Sequence, residues 1–124
     1  MEAEQREARG VFNPRVVDLV SFDRERDEVV LLMLEERPWG SDPEQLQQLE
    51  AKFNAYLGYA LDGHLARQYP EYAGKDVCFR LDCAERPSGD TERMIRAMQN
   101  HAAGDGIRFV VTRIVGRGAG DSPR

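Results

Sequence analysis

Lysine is scarce in this chain of 124 residues, where it occurs only at Lys52 and Lys75. Basic residues number 17 against 22 acidic ones, so the formal net charge is −5. Nucleic-acid binding relies on clustered cations that displace counterions from phosphates, and this composition therefore argues against a nucleic-acid partner. The acidity itself is most simply explained by solubility.

Long hydrophobic runs are also missing. No apolar stretch of the sequence is long enough to span a lipid bilayer. The N-terminal segment MEAEQREARG is charged and lacks the apolar core of a signal peptide. These two absences predict a cytoplasmic protein that does not interact with membranes.

Only two cysteines are present, Cys78 and Cys83, and both fall in one predicted strand. Five residues apart on a strand, they point to opposite faces and lie roughly 16 Å apart at about 3.3 Å per residue. A disulfide needs α-carbons closer than about 7 Å, so the two cannot pair with each other there. We expect two core or near-core thiols in a reducing compartment.

Residues with catalytic or ligand-binding chemistry form no recognisable motif. His64 and His101 are the only histidines, and both are expected on apolar helix faces as structural residues rather than metal ligands. Glu35 and Glu36 are adjacent in a strand and point in opposite directions, which makes them a poor acid–base pair. The glycine-rich segment GRGAG opens no helix that could hold a phosphate. We therefore predict no catalytic residue, no metal and no cofactor, and an enzyme is the less favoured class.

Hydrophobic periodicity predicts one α+β domain over residues 13–115, with flexible tails at 1–12 and 116–124. The element order is ββαβαβ, a four-stranded mixed sheet with two main helices mostly on one face. The predicted strands cover residues 16–22, 28–36, 76–85 and 107–115. The first two form an antiparallel hairpin around the charged turn DRERDE.

The two helices are predicted from capping residues and apolar spacing. The first starts at Asp42 as N-cap, with Pro43 in the first turn, and Gly63 ends or bends it before a short extra turn to Tyr69. Thr91 or Asp90 caps the second helix, which ends at the segment GDG. The first apolar stripe comprises Leu46, Leu49, Phe53, Tyr56, Leu57, Ala60 and Leu61. The second comprises Met94, Ala97, Met98, His101 and Ala102.

The second strand is apolar on both faces, with six consecutive apolar residues from Val29 to Leu34. Helices on one side of the sheet leave Val30, Leu32 and Leu34, or the alternate residues, uncovered. An exposed apolar patch on a soluble protein usually marks a contact surface, so these three residues are our predicted interface. The alternative is that the two helices divide between the faces and cover both.

Two further features are candidates for a site. Asp18 shares a strand face with apolar residues and needs a partner, for which we consider Arg80 or Arg113, although a charge that blocks edge pairing is an equal explanation. Trp39, Asn54 and Tyr56 could line a small cleft near the start of the first helix. Trp39 is more simply interpreted as a plug at the end of the core.

A series of framework residues resembles a family of small bacterial proteins of unknown function. The shared features are Asn13-Pro14 leading to Val17-Asp18-Leu19, a helix carrying Asn54, Tyr56 and Leu57, a glycine like Gly63, and Tyr69-Pro70. The resemblance spans about residues 13–115. It implies a compact α/β domain and supplies no activity, cofactor or catalytic residue.

These observations predict a non-enzymatic protein–protein interaction module, a homodimer or the partner of another cytoplasmic protein. An immunity or antitoxin-like role would suit a small acidic protein, by analogy alone. The alternative is a small-molecule-binding protein or enzyme that uses the cleft near Trp39, Asn54 and Tyr56.

Overall fold

The computed structural model describes residues 8–114, which form a four-stranded mixed sheet with three helices. The strands are β1 (Leu19–Asp23), β2 (Glu28–Glu35), β3 (Asp76–Cys83) and β4 (Arg108–Arg113). The helices are α1 (Gln45–Leu61), α2 (His64–Gln68) and α3 (Gly89–Gly104), and a 3-10 turn covers Pro70–Tyr72. The predicted α+β class and element order are confirmed, with α2 as the short extra turn.

The strands lie in the spatial order β1-β2-β3-β4. The β1–β2 hairpin is antiparallel, and β2 pairs with β3, and β3 with β4, in parallel. Both parallel connections cross over through helices, as parallel pairing requires. α1 and α3 lie on the same side of the sheet, where the rings of Phe53 and His101 are 5.8 Å apart, as two right-handed crossovers in one direction would require.

The core fills the space between this helical layer and one face of the sheet. Phe79 of β3 lies at its centre, with the rings of Phe53 and Tyr56 from α1 edge-on at 6.0 and 5.7 Å. Phe109 of β4 and Ile95 of α3 belong to the same buried cluster. The helices thus cover one sheet face, as predicted, and in the described part of the chain the other face has no helical layer.

β1 and α1 begin at later residues than predicted. β1 begins at Leu19 rather than at residue 16, because the preceding residues bond to α1 and to β2 instead of extending the hairpin. α1 begins at Gln45, and its N-cap residue Glu44 makes no side-chain capping bond. Asp42 instead accepts a hydrogen bond from the Glu44 N–H at 2.8 Å. Gly63, at φ 91°, separates α1 from α2 as expected, because that conformation favours glycine.

The inner stripe of α3 is rotated from the predicted one. The buried residues are Thr91, Ile95, Met98 and Ala102, whereas Ala97 and His101 are exposed. Met98 and Ala102 are buried as predicted, and Met94 packs against the core. Both sets obey the spacing of three and four residues that defines a helix face, so periodicity alone does not choose between them.

The packed domain reaches further towards the N-terminus than residue 13. Val11 is completely buried, and its N–H donates to the Leu34 carbonyl at 2.8 Å. The predicted tail at 116–124 lies outside the described residues. Within residues 8–114, no helix is both long and apolar enough to cross a membrane.

Candidate functional site

The sheet face that carries no helices is the first candidate site. Val30, Leu32 and Leu34 of β2 all point to it and are partly exposed, on the side opposite the buried Leu31 and Met33. Leu19, on the edge strand β1, pairs with Leu32 across the hairpin and is 44% exposed. We call this surface the open sheet face; it comprises Leu19, Ser21, Val30, Leu32, Leu34, Arg80, Asp82, Val110 and Thr112.

The centre of the open sheet face carries one positive and one negative side chain, Arg80 and Asp82. Arg80 lies in register between Leu32 and Val110, and Asp82 lies between Leu34 and Thr112. The Thr112 hydroxyl donates to Asp82 Oδ1 at 3.0 Å. The Nε of Arg80 is buried and, among residues 8–114, has no hydrogen-bond partner. A buried donor without an acceptor costs about 1–3 kcal/mol.

One end of this face is closed by a charge pair. Glu28 is buried, and the Arg108 guanidinium donates to its two carboxylate oxygens at 2.9 and 3.1 Å. The bond to Glu28 is the main reason that the pKa of Arg108 is raised above its ordinary value. Arg26 Nε also lies 3.4 Å from Glu28 Oε1, so the buried carboxylate is shared between two arginines.

At Leu34, the backbone of β2 is held by a side chain rather than by a neighbouring strand. The β1–β2 ladder stops at Leu19 and Leu32. Beyond it, the Leu34 N–H donates to Asp18 Oδ2 at 2.9 Å. The Asp18 carboxylate therefore replaces a neighbouring strand at this position and fixes the segment of β2 that displays Leu32 and Leu34.

The partner of Asp18 is Lys52 of α1, and the predicted partners Arg80 and Arg113 are wrong. Lys52 Nζ lies 2.8 Å from Asp18 Oδ1, and both side chains are completely buried. The same ammonium donates to the carbonyl oxygens of Asn13 and Val16, each at 2.6 Å. These three acceptors satisfy the three N–H donors of the ammonium group, which offsets the free-energy cost of burying its charge.

Two opposing effects act on Lys52. Burial lowers its pKa from the ordinary value of 10.5, and the hydrogen bond and charge of Asp18 counteract that shift. Asp18 also accepts a hydrogen bond from the Gly10 N–H at 3.0 Å. The pair thus fastens the N-terminal segment to α1 and to β2 at a single point.

Tyr56 completes this network. Its hydroxyl accepts a hydrogen bond from the Asp18 N–H at 2.9 Å and donates one to the Leu32 carbonyl at 2.5 Å. Burial, as the main cause, raises the pKa of the Tyr56 hydroxyl well above its ordinary value. The phenol therefore stays protonated and acts as a bridge between two backbone groups.

The three residues of the predicted cleft lie in different surroundings. Tyr56 is buried and its hydroxyl is engaged, whereas Asn54 is exposed. Trp39 packs partly against the core, and its indole N–H donates to the Glu85 carbonyl at 2.8 Å. None of the three lines either of two sizeable surface cavities, and the cleft stays a prediction.

Glu35 is a third buried carboxylate, after Asp18 and Glu28. It is held by Arg37, whose Nε and Nη2 donate to its two oxygens at 2.8 Å each, and by the Gln45 amide at 3.2 Å. The bond to Glu35 is the main reason that the pKa of Arg37 is raised. Glu36 is exposed, so the two glutamates face opposite ways as predicted.

The two histidines are exposed, whereas the two cysteines are buried. His64 and the 62% exposed His101 both lie at the surface, more exposed than expected for the apolar helix faces, although the His101 ring packs edge-on against Phe53 at 5.8 Å. Cys78 and Cys83 are free and buried, and burial is the main cause that raises the pKa of both thiols. In the part of the chain that the structure describes, no three His, Cys, Asp or Glu side chains are grouped to hold a metal ion.

Lys52 is the network residue that the sequence analysis missed. It falls at the helical spacing of Leu49, Phe53 and Tyr56, all of which are buried. A lysine within an apolar stripe was the available signal that a buried anion lies opposite.

Comparison with known proteins gives one match. The model of a family of unknown function, DUF6572, matches residues 10–114. No curated protein and no solved structure matches the chain significantly.

Proposed function

The chain belongs to DUF6572, a family of unknown function, and we propose that it is a protein–protein interaction module that self-associates through the open sheet face. The observation that carries the proposal is a row of partly exposed leucines, Leu19, Leu32 and Leu34, on a sheet surface without a helical layer. Burying such apolar area contributes roughly 25 cal/mol per Å².

The charge distribution favours a second copy of the same chain as the partner that binds the open sheet face. Each copy carries a formal charge of −5, so two copies repel unless they meet through a balanced surface. The open sheet face carries one positive and one negative side chain, Arg80 and Asp82, beside the buried Glu28, which both Arg108 and Arg26 contact. It is therefore the kind of surface on which two acidic copies can meet.

The same two residues suit a twofold arrangement. In a twofold interface each contact occurs twice, with residue i of one copy against residue j of the other. Arg80 of one copy can then place its guanidinium opposite the Asp82 carboxylate of the second. The leucines on either side exclude water from these contacts and strengthen them.

The test is a pair of leucine-to-glutamate substitutions. Leu19→Glu places a charge on the open sheet face, whereas Leu61→Glu makes the same change at a 53% exposed leucine of α1. The proposal expects Leu19→Glu to give a folded monomer and Leu61→Glu to retain the parent's mass. If both variants keep the parent's mass in sedimentation, the open sheet face is not the interface.

A further inference from the structure

A groove separates α3 from the free edge of β4. α3 presents Glu92, Ile95, Arg96 and Gln99 to it, at the spacing of three and four residues that defines one helix face. The other wall is formed by Val111 and Arg113 of β4, and Arg86 lies at one end. The cavity has a volume of about 350 Å³. It is separate from the leucines of the open sheet face.

The edge of β4 offers unpaired backbone groups to this groove. Among residues 8–114, β4 is the last strand of the sheet and pairs only with β3. The Ile114 N–H donates to the Cys83 carbonyl, so by strand alternation the N–H and C=O groups of Val111 and Arg113 point away from β3. Gln99 donates to the outward carbonyl of Phe109 at 3.2 Å, which marks where the helix covers the edge.

The groove is positively charged on an acidic protein. Arg86, Arg96 and Arg113 outnumber Glu92 by three to one, a local balance of +2 on a chain whose net charge is −5. Arg113 is oriented by donating to the Ala84 carbonyl at 3.1 Å. Arg86 is exposed and, within residues 8–114, forms no ion pair. The floor is apolar, with Ile95 buried and Val111 partly buried.

We propose that this groove binds an extended peptide segment with alternating acidic side chains, which adds a fifth strand beside β4. Main-chain hydrogen bonds to Val111 and Arg113 supply the affinity in this mode of recognition, and alternate side chains supply the specificity. Every second side chain of the added strand points towards α3, where carboxylates meet the arginines. Bidentate arginine–carboxylate pairing makes these contacts selective.

The binding test uses the full chain and a fluorescein-labelled octapeptide of alternating threonine and glutamate, followed by fluorescence polarisation. We expect saturable binding that weakens with added salt, and no binding of the matching threonine–lysine peptide. Combined Arg86→Glu and Arg96→Glu substitutions should weaken binding at least about tenfold. Arg24→Glu, at an exposed arginine of the β1–β2 turn, is the matched control and should bind as the parent does.

A second pair of peptides tests the added strand itself. One peptide carries backbone N-methyl groups at its glutamates, and the other carries them at its threonines. In an added strand the N–H groups of alternate residues face β4, so only one of the two peptides loses hydrogen bonds to that strand. We expect one peptide to lose binding at least about tenfold more than the other. Equal loss, or equal retention, would show binding by charge without strand addition and would overturn the proposal. So would competition by free glutarate at the concentration of the peptide.

Amide shifts locate the binding. Addition of the threonine–glutamate peptide should shift the amide signals of Val111 and Arg113 in a ¹H–¹⁵N spectrum, including in the Leu19→Glu variant. Shifts confined to the open sheet face would place the peptide elsewhere and contradict the proposal. Because the Leu19→Glu variant retains the groove, its result is independent of self-association.

Discussion

Lys52 Nζ lies 2.8 Å from Asp18 Oδ1 with both side chains completely buried, although the two residues are 34 positions apart in the sequence. This pair joins α1 to the segment that precedes β1. The Asp18 carboxylate also accepts from the N–H groups of Gly10 and Leu34. The position of Leu34 on the open sheet face therefore depends on a charge pair on the opposite side of the sheet.

Removal of the lysine should be strongly destabilising. Lys52→Met leaves the Asp18 charge buried without its partner, and breaking such a pair costs about 3–5 kcal/mol. Lys75→Met is the matched control, because Lys75 pairs with the largely exposed Asp27 at 2.8 Å and its loss should cost less than about 1 kcal/mol. Urea unfolding of both variants measures the difference. Equal losses would mean that the buried pair does not anchor the fold.

Tyr56→Phe should separate the hydroxyl's role from that of the ring. The Asp18 N–H and the Leu32 carbonyl both lose their partner, with an expected cost of about 1–3 kcal/mol. Tyr59→Phe removes a hydroxyl that bonds the exposed Gln68 side chain, and it should change the free energy of unfolding by less than about 0.5 kcal/mol. Thermal unfolding of the two variants gives the comparison; a neutral Tyr56→Phe would exclude the bridging role.

Stability should fall in alkaline solution through Cys83. Burial, aided by the charges of Asp82 and Glu35, raises the pKa of this thiol from 9.0 to about 12. A raised folded-state pKa means that the unfolded chain loses its proton first, so stability is intact below pH 9 and decreases between pH 9 and 12. The slope from one such group is about 1.4 kcal/mol per pH unit.

Cys83→Ala isolates this contribution, because Cys78, Tyr56 and Lys52 titrate in both proteins. The difference in unfolding free energy between variant and parent should be constant below pH 9 and should shift in favour of the variant above it. Urea titrations across the pH range measure that difference. A difference that stays constant up to pH 12 would show that the thiol ionises equally in both states.

A charge exchange tests the contact proposed between two copies. Arg80→Asp and Asp82→Arg alone each place like charges across the twofold interface, so each should weaken the dimer at least about tenfold. The double variant restores opposite charges and should recover much of the affinity. Sedimentation equilibrium measures the three dimer constants, with circular dichroism as the check of folding. A double variant as weak as the single ones would argue against contact between Arg80 and Asp82.

The fold could be predicted from the sequence where local residue preferences and the hydrophobic pattern indicate the same structure. β2 carries six consecutive apolar residues, and the mixed pattern of β3, with Phe79 inward and Arg80 outward, correctly indicated one covered face. Gly63 marked the end of α1 because its backbone conformation excludes most side chains. These features are set by neighbouring residues and need no long-range information.

The candidate site followed less well because it depends on distant contacts. The sequence indicates that Asp18 needs a partner, but strand periodicity carries no information about a lysine 34 residues away on a helix. Likewise, the inner face of α3 is selected by contact with Phe109 and the rest of the core, not by its own spacing. The groove beside β4 was not predicted, since it requires knowing which strand is last in the sheet.

Self-association through the open sheet face is tested most directly by the solution mass of the unmodified chain. Light scattering over a dilution series should give twice the 14.1 kDa mass of one chain at high concentration and a fall towards one chain on dilution. The Leu19→Glu variant should remain at the mass of one chain throughout. A parent protein that stays at 14.1 kDa up to the highest concentration would contradict the account.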